Sequence, residues 1–242
     1  MKNTSYIGIS LIILIFGIIF IPKIVDRISN DEVVENDRLN IGKGLTKSDE
    51  LFYIELYGEN KKVPDFQFVN QNGDSISNKD YLGKVYVVEF FFTTCPSICP
   101  IMNENLIEVE KELGKNKDFG IVSISIDPQH DTSEVLKEYA ENHGIDNPNW
   151  NFLTGDKQDI YTLANKGFGI FANTDETVPG GFAHSGMFAL VDKEGFIRSR
   201  SDKFGNPIIY YKGSIERNKS LLEGEEEPQI DILIEDLKKL LL

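Results

Sequence analysis

The chain has 242 residues, of which 40% are hydrophobic and 11% aromatic, enough for one sizeable domain with extensions or for two small domains. Its formal net charge of −14 at pH 7 argues against nucleic-acid binding, because phosphate backbones are bound through a surplus of Lys and Arg. An acidic surface suits a cationic protein partner or a metal ion, and it serves solubility equally well.

The first predicted element is the apolar run from Tyr6 to Ile21, which as a helix is roughly 24 Å long and at the short end of a membrane span. The run ends without the small residues of a signal-peptidase site, and no cysteine directly follows it that could carry a lipid. Positive charges on both sides leave the orientation undecided, but a very short tail before such an anchor usually stays inside the cell. We predict an uncleaved anchor at 1–22, a charged tether at 23–55 and a domain at 56–242 outside the cytoplasm, where cysteines can form disulfides.

The pattern typical of a folded domain begins near Val63. Alternation at 66–69, followed by turn-forming residues at 70–74, predicts a β-hairpin. The run at 85–92 is apolar on both faces and predicts a strand covered by helices on two sides. The later predicted elements are a helix at 101–114, a buried strand at 120–126, a helix ending near Asn142, a short strand at 150–153, a helix from Asp156 to about Asn165, a hairpin of 187–192 with 196–199, and a C-terminal helix after Pro228.

Asp131 is predicted to cap the helix that ends near Asn142, because Glu134 follows it by three residues as in a capping box. The order of elements, with strands and helices alternating before a closing antiparallel hairpin, predicts an α/β fold. We predict a thioredoxin-like three-layer sandwich with a mixed central sheet. This fold places a cysteine-containing loop between the first central strand and its helix.

The only two cysteines, Cys95 and Cys99, follow the predicted strand at 85–92, and each precedes a proline. Proline disfavours the α conformation in the residue before it, and Pro100 fits best at the first position of a helix. Cys99 is therefore expected near the N-cap, where backbone N–H groups and the helix dipole lower thiol pKa values. The resulting thiolates attack disulfides and bind soft metals, and the spacing allows either a disulfide or one metal ion between the sulfurs.

Other readings of the cysteine pair are less consistent with the sequence. A structural disulfide that closes so small a loop stabilises a protein little. A structural zinc site needs four ligands, whereas the three histidines of the chain are scattered. His130 lies in a loop and His143 ends a helix, where a cation complements the helix dipole, so both positions are explained without chemistry.

His184 differs from the other histidines because it lies just before the predicted strand at 187–192. In a thioredoxin-like sheet, the loop that enters this strand lies next to the cysteine loop. We therefore expect His184 to reach Cys95 and Cys99. Two thiolates and one imidazole form a soft set of three ligands that suits Cu(I), and Cu(II) with an added ligand.

The sequence resembles the Sco/SenC family of membrane-anchored copper chaperones over roughly residues 63–200 and at the N-terminal anchor. The segments that carry the resemblance are Phe90 to Pro100 with both cysteines, Ser125 to Thr132 with the pattern D-P-x-x-D-T, Phe152 to Gly155, and His184-Ser185 before a strand ending at Asp192. The resemblance implies a thioredoxin-like fold facing the periplasm from the inner membrane, with copper held by Cys95, Cys99 and His184. It also implies a role in building the dinuclear copper centre of cytochrome c oxidase subunit II, by copper delivery or by reducing that subunit's cysteines. The alternative partners are another cuproprotein for copper delivery and other extracytoplasmic proteins for thiol reduction.

The chain departs from the family pattern at two places. Family members usually carry Asp directly before the ligand histidine, where this chain has Ala183, so a carboxylate that would orient the imidazole is missing. The segment at 203–228 is longer than the usual connection between the last hairpin and the last helix. Asp127 and Asp131 match the acidic motif of the family, and helix capping accounts for Asp131 without a metal.

Two functions therefore remain open. A copper chaperone binds metal through Cys95, Cys99 and His184 and catalyses nothing. A thiol–disulfide oxidoreductase uses the two cysteines as catalytic residues, needs a thiol reductant as a partner, and does not require the histidine. A peroxiredoxin fits less well, because no arginine that could accompany the reactive cysteine lies between Arg38 and Arg198.

Overall fold

The structure is a computed structural model that describes residues 13–18, 20–22, 40–41, 51–56, 58–202, 207–220 and 226–242. The chain divides into two compact units, Met1–Leu39 and Asn40–Leu242. In the first unit, residues 13–18 and 20–22 are helical. Within the described parts of the chain, no helix is both long enough and apolar enough to cross a membrane. The rest of the predicted anchor and most of the predicted tether lie outside the described residues.

The second unit contains the strands β1 (Asn40–Ile41), β2 (Phe52–Leu56), β3 (Glu59–Asn60), β4 (Gln67–Asn70), β5 (Ser75–Ser77), β6 (Val85–Phe91), β7 (Phe119–Ser125), β8 (Trp150–Thr154), β9 (Ala172–Thr174), β10 (Phe182–His184), β11 (Met187–Val191), β12 (Ile197–Ser201), β13 (Pro207–Ile208) and β14 (Tyr211–Lys212). Its α-helices are α1 (Cys99–Leu113), α2 (Ser133–Asn142), α3 (Lys157–Thr162) and α4 (Ile230–Leu241). A 3₁₀ helix at Asn78–Tyr81 and a π-helix at Leu163–Phe168 complete the described helical elements.

A mixed sheet of 12 of the described strands has the order β1-β2-β12-β11-β6-β7-β8-β4-β5, with β3, β13 and β14 paired beside this path. The central pairs β6–β7 and β7–β8 are parallel, and the other pairs are antiparallel. β9 and β10 form a separate two-stranded sheet. The mixed sheet that the sequence predicts is therefore confirmed.

Helices cover both faces of the sheet, as the apolar sequence of β6 predicts. All seven residues of this strand are buried. Successive side chains of a strand point to opposite faces. Accordingly, the ring of Phe90 packs against Phe168 of the π-helix at 5.7 Å, and the ring of Phe91 packs against Tyr139 of α2 at 5.6 Å. The carboxyl end of β6 is thus held between two layers, and the cysteine loop begins there.

Most of the predicted elements agree with the structure within a few residues. α1 begins at Cys99, slightly earlier than predicted, and its N-cap is Ile98. The helix capped by Asp156 ends at Thr162 as an α-helix and continues as the π-helix. The strand Phe52–Leu56 lies in the range predicted as a tether, yet it pairs with β12 in the main sheet. The short strands β9, β10, β13 and β14 are not predicted from the sequence.

A buried carboxylate joins the C-terminal helix to the sheet. Asp236 lies fully buried among the apolar residues of α4. It accepts a hydrogen bond from Arg200 Nη1 of β12 at 3.0 Å and another from the hydroxyl of Tyr211 of β14 at 2.8 Å. Because a buried charge is tolerated only when it is paired and hydrogen-bonded, these contacts fix α4 against β12 and β14.

A second buried acid, Glu89, lies in the middle of β6. Its Oε1 accepts a hydrogen bond from the hydroxyl of Ser123 at 2.6 Å, and that hydroxyl accepts one from Trp150 Nε1 at 3.0 Å. Its Oε2 has no hydrogen-bond partner among the described residues. Burial raises the pKa of Glu89 to about 7, although the hydrogen bond from Ser123 acts in the opposite direction.

We expect Glu89→Gln to gain stability relative to the wild type as the pH rises. Folding favours the neutral form of Glu89 in the wild type. The stability that this protonation gives the wild type is fully present below pH 4.5 and is lost as the pH rises through about 7. A pKa raised from 4.5 to about 7 corresponds to about 3 kcal/mol in the free energy of unfolding. Urea unfolding below pH 4.5 and above pH 7 measures this difference, with Glu138→Gln on the exposed face of α2 as the control. An effect of Glu89→Gln that does not vary with pH contradicts the assignment.

Candidate metal centre

The cysteine loop connects the end of β6 to the start of α1. The N–H of Cys95 donates to the carbonyl oxygen of Phe92 at 3.2 Å, which turns the chain directly after the strand. Cys99 opens the helix, and Pro100 stands in its first turn, where a missing N–H costs no helical hydrogen bond. Both cysteines are buried, and no disulfide joins them.

His184 arrives from a different part of the chain. It is the last residue of β10, in which it pairs with Ala172 of β9. Its ring packs edge-on against Phe92 with the ring centroids 5.8 Å apart. Its Nε2 lies 3.3 Å from the Sγ of Cys99. The two-stranded sheet of β9 and β10 therefore positions the imidazole beside the cysteine loop.

The three residues predicted from the sequence converge in the structure. The Sγ atoms of Cys95 and Cys99 and a ring nitrogen of His184 all lie within 4.8 Å of one another. No carboxylate belongs to this group in the described parts of the chain. The set consists of two sulfurs and one imidazole nitrogen, which are soft or borderline ligands.

The two thiols have opposite electrostatic environments. The pKa of Cys95 lies well below its usual range, because its sulfur accepts hydrogen bonds from the Cys99 thiol, from His184 and from the backbone N–H groups of Ser97 and Cys99. The pKa of Cys99 is raised, because its own proton is donated to Cys95 and because it is buried. These directions favour a thiolate at Cys95 over one at Cys99 when the pair is reduced.

The second nitrogen of the His184 ring differs from the usual arrangement of a metal-binding histidine. Nδ1 is buried and has no hydrogen-bond partner among the described residues. Metal-binding histidines normally donate this N–H to a carboxylate, a carbonyl or water, which fixes the ring orientation. Ala183, the preceding residue, cannot supply such a group. The sequence predicts that the orienting carboxylate is missing at this position, and the unpartnered Nδ1 agrees with that prediction.

His130 and His143 do not belong to the cluster of described ligand atoms. His143 follows α2, and its Nδ1 lies 2.8 Å from the carbonyl oxygen of Tyr139. His130 lies in the loop before α2 with its Nδ1 2.9 Å from Asp131, and this contact raises the pKa of His130. Both histidines lie where the sequence predicts them, His130 in the loop before α2 and His143 at the end of that helix.

The prediction that Asp131 caps α2 is wrong. The N-cap is Thr132, whose hydroxyl accepts the N–H of Val135. The Asp131 side chain is fully buried and accepts hydrogen bonds from the Thr93 N–H at 3.0 Å and from the Ser125 hydroxyl at 2.5 Å. The Thr93 hydroxyl is a third donor, also at 2.5 Å. Asp131 is thus tied to the strand ends of β6 and β7, because unsatisfied donors there would be costly.

Two features near the site are not predicted from the sequence: the role of Asp131 as a buried acceptor, and a glycine that lies against the cysteine loop. The signal for Asp131 is that Thr93 and Ser125, which can donate, end two neighbouring parallel strands. The glycine is Gly180, which has a φ of +89°, and a Cβ there would lie 2.9 Å from the ring of Phe92 and 3.1 Å from Pro96. The loop between β9 and β10 therefore approaches the cysteine loop closely enough to exclude a side chain.

A pocket of 360 Å³ opens at the metal centre. Cys95 and His184 lie in its wall, together with the apolar side chains of Ile98, Phe171 and Phe182. Phe171 is 53% exposed, which is unusual for so large an apolar side chain. Cys95 is thus accessible from solvent through a pocket with apolar walls.

We expect Asp131→Ala to destabilise the protein and to loosen the cysteine loop. Removing the carboxylate leaves the buried donors of Thr93 and Ser125 without their acceptor, at a cost of about 1–3 kcal/mol for each unsatisfied group. Urea unfolding measures the loss, and hydrogen exchange of the Thr93 amide measures the loosening. Asp127→Ala, in the same motif, is the matched control and should change the free energy of unfolding by less than about 1 kcal/mol. Equal effects of the two changes contradict this role of Asp131.

The sequence profile of the family described as SCO1/SenC matches residues 55–215. Among curated proteins, the chain is 36% identical over 138 residues to the SCO1 protein homolog of Bacillus subtilis strain 168, covering 56% of this chain and 71% of the relative. Among solved structures, it is similar to a SCO1/SenC family lipoprotein from Bacillus anthracis strain Ames, with a TM-score of 0.60 and 30% identity. That match covers 74% of this chain and 95% of the other.

Two further solved structures are also similar to this chain. BsSco, described as a member of the Sco family of cytochrome c oxidase assembly proteins with a disulfide switch, matches with a TM-score of 0.58 and 29% identity over 75% of this chain and 94% of its own. Bradyrhizobium japonicum ScoI was solved with copper bound and matches with a TM-score of 0.54 and 22% identity over 74% of this chain and 99% of its own. The last likeness shows the fold alone. The thioredoxin-like α/β fold predicted from the sequence is confirmed by these matches.

Proposed function

Because this chain belongs to the SCO1/SenC family, we propose that it is a copper chaperone in which Cys95, Cys99 and His184 hold one copper ion as cargo. We propose further that the recipient is the dinuclear copper centre of cytochrome c oxidase subunit II. The observation that carries the proposal is the convergence of two sulfurs and one imidazole nitrogen within 4.8 Å. This set fits copper, because thiolates select Cu(I) and the imidazole also suits Cu(II).

The surroundings of the site support the transfer of a metal ion. The lowered pKa of Cys95 favours the thiolate, which is the form that binds a metal. The sulfurs are buried, yet the pocket beside them opens to solvent through Ile98, Phe171 and Phe182. An apolar rim of this kind excludes water around a soft ion and offers a recipient protein a surface to contact.

We propose that the apolar run at 1–22 anchors the chain in the inner membrane and that the charged segment between this run and the unit that begins at Asn40 holds the domain on the periplasmic side. The apolar composition of the run supports this placement, as does the absence of a cysteine near it that could carry a lipid. In that compartment the reduced cysteine pair requires a thiol reductant as a further partner.

A second candidate function is thiol–disulfide exchange, favoured by the contrast between the two thiols. The Cys95 thiolate attacks a disulfide of the partner and forms a mixed disulfide, releasing one partner thiolate. Cys99, once deprotonated, attacks the Cys95 sulfur and releases the second partner thiolate. Two electrons pass to the partner, and a Cys95–Cys99 disulfide remains for the thiol reductant to reduce. His184 is a metal ligand in the first function and has no necessary role in the second.

We expect His184→Ala to abolish tight copper binding and to preserve disulfide exchange. The purified reduced wild type should bind one copper ion per chain, with a sulfur-to-Cu(II) charge-transfer band. Loss of a direct ligand should weaken binding by more than the roughly 10–100-fold that is typical of changes around the ligands. Titration with copper, absorption spectra and exchange with a small disulfide measure these properties.

His143→Ala is the matched control for His184→Ala and should behave as the wild type, because His143 contacts the Tyr139 carbonyl at the end of α2. A reduced wild type that binds no copper contradicts the chaperone function. Copper binding that is unchanged in His184→Ala contradicts the ligand set.

A further inference from the structure

The segment between the last strand of the hairpin and the C-terminal helix has no role so far. Its described residues 207–220, which we call the strap, cross from β12 to the amino-terminal part of α1. The hydroxyl of Tyr210 donates to the carbonyl oxygen of Phe168. β14 of the strap pairs with the start of β11, so that Lys212 lies opposite Met187. The strap therefore lies along the strand that directly follows His184.

One side of the strap holds the backbone beside His184. The carbonyl oxygen of Gly186 accepts the N–H of Gly213 at 2.8 Å and the N–H of Ser214 at 3.2 Å. A Cβ on Gly186 would lie 2.5 Å from the Cβ of Ser214 and 3.2 Å from the Cδ1 of Ile98. The backbone two residues after His184 is thus pressed between the strap and the residue that precedes Cys99.

The other side of the strap is clamped to the helix that Cys99 opens. Asn105 of α1 is 3% exposed, and its Nδ2 donates to the carbonyl oxygens of Gly213 and Ile215, both at 2.8 Å. Its Oδ1 accepts the N–H of Arg217 at 3.1 Å. One buried amide therefore makes three hydrogen bonds to the strap, which is close to the full capacity of the group.

Arg217 extends the clamp beyond Asn105. Its Nη2 donates to Glu112 of α1 at 2.8 Å, and its Nε donates to Asp231 of α4 at 2.8 Å. Exposed ion pairs add little stability each, but they direct the strap along α1. The same segment is thus joined both to the helix of Cys99 and to the strand entry of His184.

We propose that the strap is a positioning element of the metal centre that sets the distance between His184 and Cys99. This inference rests on the proposed copper site and assigns the positioning to the backbone of the strap at Gly213 and Ser214 and to the side chain of Asn105. Nothing covalent links the two ligand-bearing segments, so their separation is set by packing and hydrogen bonds. Metal affinity depends on that separation, because ligand atoms must lie at fixed distances from the ion.

The test is a pair of compensating substitutions in the full-length protein. Gly186→Ala adds a Cβ that meets Ser214, which should displace His184 and weaken Cu(I) binding by about 10–100-fold in competition with a chromophoric chelator. Ser214→Gly alone should bind as the wild type. The double variant Gly186→Ala with Ser214→Gly removes the collision and should recover most of the affinity.

Two readouts separate positioning from a general loss of structure. Thiol–disulfide exchange of the cysteine pair should be unchanged in Gly186→Ala, because it does not require His184. The NMR resonances of His184 in the metal-free protein should shift in Gly186→Ala and return in the double variant. Affinity and resonances of Gly186→Ala that equal those of the wild type overturn the proposal, as does a loss that Ser214→Gly does not restore.

Asn105 provides a second test with a close control on the same helix. Asn103 is also 3% exposed, but its amide atoms have no hydrogen-bond partner among the described residues. Asn105→Leu should weaken Cu(I) binding by about tenfold or more, whereas Asn103→Leu should not. Equal affinities of the two variants overturn the role of the clamp.

These results are distinguishable from a failure of the proposed function. A wild type that binds no Cu(I) contradicts the copper chaperone itself. The resonances of His184 in the metal-free variants then still decide whether the strap positions the ring.

Discussion

Phe92 joins the two parts of the metal centre, the cysteine loop and His184. Its backbone carbonyl accepts the N–H of Cys95, and its side chain packs against His184 and Phe182 at 5.8 and 5.1 Å. Gly180 lies against the same ring without room for a Cβ. Phe92 is 1% exposed and directly follows the central strand. The packing of His184 against this ring therefore fixes the imidazole relative to the buried centre of the sheet.

Hydrogen bonds stabilise the negative charge of Asp131 and favour negative charge on the Cys95 sulfur. Asp131 is held by hydroxyl and amide donors from two strand ends, and the Cys95 sulfur is held by a thiol, an imidazole and two backbone N–H groups. Hydrogen bonds from fixed donors stabilise an anion without adding a counter-charge. A cation that approaches the sulfurs therefore meets a pocket whose described lining contains no lysine or arginine.

The sequence predicts the central strands, the helices and the ligand triad because each has a local signal. Strand β6 is recognisable from its continuous apolar run, and Cys99 from the proline that follows it. His184 is predicted through topology, since the strand it precedes must lie beside the cysteine loop. The role of Asp131 cannot be obtained in this way. A capping box and a buried acceptor have the same local pattern, and only the partners at the ends of two strands distinguish them: Ser125, six residues before Asp131, and Thr93, which is distant in sequence.

The short strands β9, β10 and β14 are missed for a related reason. Each has only two or three residues, too few for an alternating pattern, and forms because a neighbouring backbone offers free hydrogen-bonding groups. Asn105 and Gly186 are likewise ordinary residues of a helix and a loop until the segment near Ser214 is placed against them. Long-range packing, which the sequence does not display locally, defines these parts of the fold.

The unpartnered Nδ1 of His184 has a consequence for the speed of exchange. An imidazole that donates a hydrogen bond at Nδ1 must break that bond before it can turn about its Cβ–Cγ axis. Here no such bond among the described residues holds the ring, so the barrier to swinging Nε2 away from a bound ion lacks this contribution and comes from packing, including that against Phe92. Such a ligand favours a short residence time, which suits a protein that passes its cargo on more than one that stores it.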